Sequence, residues 1–366
     1  LTLAQLNATV GDLAGNAALA LDAWAQGRGA GANMVALPEM FLTGYQTQDL
    51  VLKPAFLRDC HAALDALAAA CADGPTLAIG APWSEGESLY NAYLILQGGR
   101  IAAKVFKHEL PHKQLFDELR LFDPGPISGP YVVDGVRIGS PICEDAWWPE
   151  VAETLEETGA EILIVPNGSP YHRDKLDLRM GHMVGRVVET GLPLVYVNMV
   201  GGQDELIFDG ASFIINADRN LAAQLPTFRE TVALTEWKRE AGTWRCVAGP
   251  MTRQDENDKT DYGACVLGLA DYVNKNGFKG VVFGLSGGID SALVAVIAAD
   301  AVGEGAEGQG GEDAAEPAPP PPASVLPQGE TGAGDQVVRR TDAYRFRIGG
   351  HEAFVLRDGE IRVPND

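Results

Sequence analysis

Val136-Arg137-Ile138-Gly139-Ser140-Pro141-Ile142-Cys143-Glu144-Asp145 runs from an apolar stretch directly into a cysteine followed by two acids. A short apolar run of this kind reads as a strand, and a reactive side chain at its end is delivered to a sheet edge, where clefts form. Similar β-rich runs recur at 1–6, 34–38, 76–83, 91–97, 100–107, 161–168, 193–202 and 211–217. Helical patterns at 16–28, 55–72, 150–158 and 175–190 lie between some of them. Several runs are apolar on both faces, which calls for a sheet covered by helices. Others are joined by tight turns such as Gln97-Gly98-Gly99, which calls for hairpins. The prediction for 1–248 is therefore α/β with mixed rather than purely parallel sheets.

Composition limits the function classes. The 366 residues are 46% hydrophobic and 21% charged, an ordinary globular balance with enough apolar material for a large core. A net charge of -22 argues against a general nucleic-acid binder, which needs clustered Lys and Arg. A single nucleotide remains compatible, because backbone amides can hold phosphate. No apolar run reaches the roughly 18 residues of a membrane span. The first residues carry neither the basic start nor the cleavage site of a signal peptide. The five cysteines, Cys60, Cys71, Cys143, Cys246 and Cys265, are widely spaced and form no CxxC pair. That pattern predicts a reducing cytoplasm rather than a disulfide framework.

Two more strand ends carry chemistry. Leu37-Pro38-Glu39-Met40 places a carboxylate just after a buried run, and Lys104-Val105-Phe106-Lys107 ends another in a lysine ahead of Pro111. An amide carbon needs a nucleophile, a base to activate it and donors for its oxyanion. Cysteine, glutamate and lysine supply these without a histidine, and a nearby lysine favours thiolate. The arrangement resembles the nitrilase superfamily of carbon–nitrogen hydrolases, whose catalytic Glu, Lys and Cys match Glu39, Lys107 and Cys143 in order and context across about 1–248. The resemblance implies an αββα sandwich, subunits that pair into homo-oligomers, a thioester mechanism with no metal, and a second glutamate at Glu118 that orients the amide or Lys107.

The wording narrows the resemblance. Gln48-Asp49-Leu50-Val51-Leu52-Lys53-Pro54, Leu115-Phe116-Asp117-Glu118, Pro141-Ile142-Cys143-Glu144-Asp145-Ala146-Trp147 and Pro166-Asn167-Gly168-Ser169-Pro170-Tyr171 resemble the glutaminase domain of glutamine-dependent NAD synthetases. This implies L-glutamine as substrate, with Ser169 and Lys175 among its contacts; a cation suits the carboxylate of a free amino acid. Ser169 and Lys175 also suit a helix start, so capping stays open for both. The family's Asn-Tyr-Gly after Leu-Pro is His112-Lys113-Gln114 here. Lys113 takes the place of a tyrosine that touches glutamine, which puts that contact in question.

The pattern restarts in 249–303, read as a linker and the opening of a second domain. A helical segment at about 260–276 precedes a run at 280–286 that reads as a buried strand. Gly284-Leu285-Ser286-Gly287-Gly288-Ile289-Asp290-Ser291 then turns into an apolar helix. Small residues ahead of a helix N-terminus make an anion site. The loop lacks the ending of a Walker A motif. It resembles the pyrophosphate loop of ATP pyrophosphatases and implies ATP with Mg, and nicotinic acid adenine dinucleotide as co-substrate in the intact family. Family-like sequence stops near Val302, so the expected fold there is an incomplete Rossmann-like segment, and NAD formation by this chain alone is not expected. Residues 304–336 hold seven acids, no Lys or Arg and the run Pro319–Pro322, a composition that does not order itself. Residues 337–366 alternate as in a short β-hairpin tail.

Overall fold

The structure is a computed structural model and describes residues 1–112, 116–255, 257–284, 288–304, 336–338, 341–348, 351–358 and 361–363. It divides into two compact units, Leu1–Ala264 and Cys265–Asp366.

In the first unit the chain forms β1 (Thr2–Gln5), α1 (Leu13–Gly29), β2 (Met34–Ala36), α2 (Pro54–Ala70), β3 (Thr76–Glu85), β4 (Ser88–Gln97) and β5 (Arg100–Phe106). There follow β6 (Tyr131–Val133), β7 (Val136–Gly139), α3 (Pro149–Glu157), β8 (Ile162–Asn167), α4 (Lys175–Thr190) and β9 (Leu194–Asn198). Strands β10 (Val200–Gln203), β11 (Leu206–Asp209), β12 (Phe213–Ile215), β13 (Leu221–Gln224), β14 (Thr231–Leu234), β15 (Glu236–Glu240) and β16 (Thr243–Ala248) complete it. Two six-stranded mixed sheets result, ordered β14-β1-β2-β3-β4-β5 and β13-β12-β9-β8-β7-β6.

The sheets pack face to face. Leu3, Met34, Tyr93 and Ile95 of the first meet Ile138, Ile164, Val195 and Ile214 of the second in one core. On β4 the alternate residues Ala92, Leu94 and Leu96 point the other way, toward Trp24 and Leu64 of α1 and α2. The second sheet's outer face carries Leu163, Tyr196 and Phe213 under Val151 and Leu155 of α3 and Met183 and Val187 of α4. Helix, sheet, sheet and helix give the αββα sandwich, with each sheet buried on both faces.

Two readings need correction here. The run at 136–143 is not a strand throughout: β7 stops at Gly139, and Cys143 opens a 3-10 turn over Cys143–Trp147. Pro141 cannot donate to a ladder, so the strand ends before it. The run at 193–202 splits into β9 and β10 around Met199, because β10 leaves the large sheet to pair with β11.

Helix α5 (Asp258–Lys275) crosses the boundary between the units. In the second unit lie β17 (Val282–Gly284), α6 (Ile289–Glu304), β18 (Gln336–Val338), β19 (Thr341–Ile348), β20 (His351–Asp358) and β21 (Ile361–Val363). Strand β17 pairs parallel with β20, β19 and β20 form an antiparallel hairpin, and β18 pairs with β21. The run at 280–286 is shorter and less covered than a buried strand, with Val282 62% exposed. Its ladder has a neighbour on one side, among the described residues, so little packs over it. Most of 304–336 falls outside the described residues. Among these residues no helix is long and apolar enough to cross a membrane.

Gly80 of β3 fixes where the chain goes after β2. Its N–H donates to Pro38 O at 3.2 Å and its carbonyl accepts from Leu42 N at 3.0 Å. A Cβ there would stand 2.1 Å from Met40 N and 2.6 Å from the carbonyl carbon of Glu39. Both neighbours are backbone, so the clash cannot be relieved by a rotamer change. Gly80→Ala should therefore lower stability by about 1–3 kcal/mol, read as a drop in the urea midpoint of the first unit followed by tryptophan fluorescence.

Candidate active site

Three chain segments converge on one buried ammonium. Lys107, one residue past β5, is held in register by its N–H to Asn91 O at 2.9 Å. Its Nζ lies 2.7 Å from Glu39 Oε1 and 2.7 Å from Glu118 Oε2. All three side chains are buried. Glu39 follows β2 in the turn that Gly80 accommodates, and Glu118 sits in a 3-10 turn, Glu118–Arg120, whose first N–H donates to Pro111 O at 3.0 Å.

Each oxygen of the two carboxylates accepts at least one hydrogen bond. Glu39 Oε1 accepts from Asn91 Nδ2 at 2.8 Å, and Oε2 accepts from the backbone N–H of Gly168 at 2.8 Å. Glu118 Oε1 accepts from Tyr45 OH at 2.7 Å and from Asn91 Nδ2 at 3.2 Å. Asn91 and Tyr45 were not singled out by the sequence, and Gly168 entered only as part of the 166–171 motif. Buried charges persist only when paired and hydrogen-bonded, and this cluster meets both conditions.

The cluster also sets the charge states. Burial alone would lower the Lys107 pKa, but Glu118 and then Glu39 outweigh it and hold the pKa well above the lysine range. Burial raises Glu118, with Lys107 opposing and Glu39 adding to the rise. Cys143 is half-buried and adopts φ 49°, a left-handed conformation that a non-glycine residue holds only under constraint. Burial and then Glu39 push its thiol well above the ordinary range, while Lys107 pulls it down. The expectation that lysine favours thiolate is thus right in sign but outweighed by burial and then by Glu39. The resting nucleophile is a neutral thiol that needs a base. Glu144, next in the turn, lies where N–H groups have no intrahelical acceptor.

Ser169 and Lys175 occupy different situations. Ser169 is buried; its N–H donates to Asn198 Oδ1 at 2.9 Å and its Oγ accepts from Arg179 Nε at 3.1 Å. Lys175 opens α4 with its Nζ 4.5 Å above the Trp147 ring, and burial followed by Arg179 lowers its pKa. Neither side chain caps the helix: the N-cap is Asp174, which makes no side-chain cap bond. Arg179, unnoticed in the sequence, grips the loop: Nη1 meets both oxygens of Asp209 at 2.8 Å, and Nη2 donates to the carbonyls of Ser169 and Pro170 at 2.7 and 2.8 Å. Lys113 lies outside the described residues. Of the second motif, Gly284, Gly288, Ile289, Asp290 and Ser291 join β17 to the start of α6, while Leu285, Ser286 and Gly287 lie outside the described residues. His108, Glu109 and Glu150 bring ligand atoms within 4.8 Å of one another at a part-exposed spot, a grouping the sequence did not suggest.

Lys107→Met would leave Glu39 and Glu118 facing each other without a counter-charge, at a cost of about 3–5 kcal/mol. The variant's folded-state carboxyl pKa then rises above its unfolded value. A raised carboxyl stabilises the fold at low pH and loses that contribution as pH rises. The stability gap to wild type should therefore widen from acid to neutral pH, checked by urea midpoints across that range.

Comparison with known proteins agrees with this architecture. The carbon–nitrogen hydrolase family model matches residues 1–245, and the NAD synthase family model matches residues 262–309. The glutamine-dependent NAD(+) synthetase of Rhodobacter capsulatus is 59% identical over 305 residues, 83% of this chain and 55% of that protein. The structure of glutamine-dependent NAD+ synthetase from Acinetobacter baumannii in complex with ADP is similar with a TM-score of 0.77 at 32% identity, covering 84% of this chain and 57% of that one. A nitrilase-superfamily amidase from Nesterenkonia AN1 shares the fold, with a TM-score of 0.56 at 24% identity over 63% of this chain and 87% of that one. The chain spans about half the length of the curated relatives it matches. With well over half of its residues matched by one family model, and with that family's fold, the chain belongs to the carbon–nitrogen hydrolase family.

Proposed function

We propose that residues 1–248 hydrolyse the side-chain amide of L-glutamine to glutamate and ammonia. The observation that carries the reading is the buried Glu39–Lys107–Glu118 cluster electrostatically coupled to Cys143. Because the thiol rests protonated, Glu39 removes its proton as Sγ attacks the amide carbon. The oxyanion that forms is met by Lys107 and the Glu144 N–H. Glu39 returns the proton to the leaving nitrogen, ammonia departs and a thioester remains. Water, deprotonated by Glu39, then attacks the thioester, and the thiol recovers its proton. Glu118 stays bonded to Lys107 and Tyr45 throughout and holds the ammonium in place. Lys175, over the Trp147 ring of the nucleophile turn, and Ser169 are the contacts for the amino-acid end of glutamine in this reading, with Lys113 as a third candidate.

Residues 249–303 are the linker and opening of an ATP-pyrophosphatase domain, 304–336 a second linker and 337–366 a β-rich tail. Among the described residues nothing lies within 4 Å of where a Cβ would stand on Gly284 of the Gly284–Ser291 loop, which leaves room for a ligand beside that residue. ATP with Mg, bound by that loop and the N-terminus of α6, would supply adenylation of nicotinic acid adenine dinucleotide for the ammonia to amidate. The five free cysteines fit a cytoplasmic protein, and exposed Leu178 and Val188 on α4 fit pairing of two copies through that helix.

Purified chain should release ammonia from glutamine, and Cys143→Ala should abolish it; equal release from both would overturn the reading. His112-Lys113-Gln114 favours a second reading, a different small carboxamide as substrate. Faster turnover of asparagine or an aliphatic amide than of glutamine would select it. With glutamine, ATP and the deamido dinucleotide, ammonia should form without NAD; robust NAD would show that a single strand–loop–helix suffices.

A further inference from the structure

Asp145 is buried, and its carboxylate is used entirely by backbone. Oδ1 accepts from His108 N at 3.0 Å and from Glu109 N at 2.7 Å; Oδ2 accepts from Ile142 N at 2.9 Å. Its own N–H donates to Ile142 O at 3.0 Å, closing the turn that starts at Cys143. A carboxylate that merely closed this turn would need the Ile142 N–H alone. The other two donors come from the loop after β5, the edge strand of the opposite sheet, and are the two residues that follow Lys107.

From this geometry we infer that Asp145 is a positioning residue, which sets the nucleophile of one sheet in register with the lysine of the other. The inference rests on the amide-hydrolysis reading above. Cys143 comes from the second sheet, whereas Glu39 and Lys107 follow strands of the first. Both sheets pack through apolar side chains, which resist separation but specify little about sliding. Three hydrogen bonds to one ionised carboxylate are directional and strong, and lock the two loops at the edge where chemistry takes place. Burial pushes the Asp145 carboxyl up to about 7, against the pull of the three donors, so the ionised form dominates above neutrality.

The test is Asp145→Asn in the full chain at about pH 8, above that value. The amide keeps the shape and one acceptor oxygen for His108 and Glu109, but turns an NH2 toward the Ile142 N–H. A misplacement of about 1 Å costs roughly 100-fold, so kcat for glutamine hydrolysis should fall by that order while KM stays near wild type. Alkylation of Cys143 by iodoacetamide, followed by mass spectrometry of its peptide, should slow in parallel without any substrate present. Unchanged kcat and alkylation, or a rise in KM alone, would overturn the inference. If the Asn variant does not fold, Asp145→Glu, which keeps the charge but moves the oxygens by one methylene, carries the same expectation. Wild-type chain that alkylates at Cys143 but hydrolyses no glutamine would count against the proposed substrate, and the alkylation comparison would still decide the role of Asp145.

Discussion

One ammonium group organises the first unit. Lys107 is buried, and its charge is tolerated because Glu39 and Glu118 each stand 2.7 Å away. The two carboxylates carry an excess negative charge into the core, and that excess must be met by donors. Asn91 of β4, Tyr45 and the Gly168 amide provide them. A buried ion pair of this sort is poor evidence for stability, since well-packed apolar residues often serve as well. Its presence marks a site whose chemistry needs the charges.

The same electrostatics decide how the nucleophile works. A cysteine near a free lysine would rest as thiolate. Here burial first and Glu39 second push the Cys143 thiol up, and Lys107 offsets them only in part. A thiol held in that state calls for a base beside it. Cys143, with φ 49°, and Met40, with φ 50° just after Glu39, are among the non-glycine residues held in the left-handed region.

Much of this was legible in the chain. The helix at 175–190 and the alternation of apolar runs follow from periodicity, and the three strand-end patterns announce Glu39, Lys107 and Cys143 because each breaks an apolar run with a polar group. The second layer was not legible. Asn91, Tyr45, Asp145 and Asp209 are single polar residues whose partners are far away in sequence, and nothing local tells a satisfied core group from a surface one. Arg179 gave one signal, its place four residues before Met183 on the apolar face of α4. Strand β7 was misread in length because apolar character continues past Pro141 while the hydrogen-bond ladder does not. The 280–286 run reads as buried for a similar reason: composition reports what a segment could bury, not what is there to bury it.

The Gly168 amide ties the Glu39 carboxylate to the loop after β8. It fixes Glu39, and the next residue, Ser169, belongs to the loop gripped by Arg179 and Asp209. The bond to Glu39 and the bonds to Arg179 are thus made by adjoining residues of one segment. A change in that loop would therefore shift Glu39 as well, since the residue that holds the carboxylate and the residue held by Arg179 are neighbours.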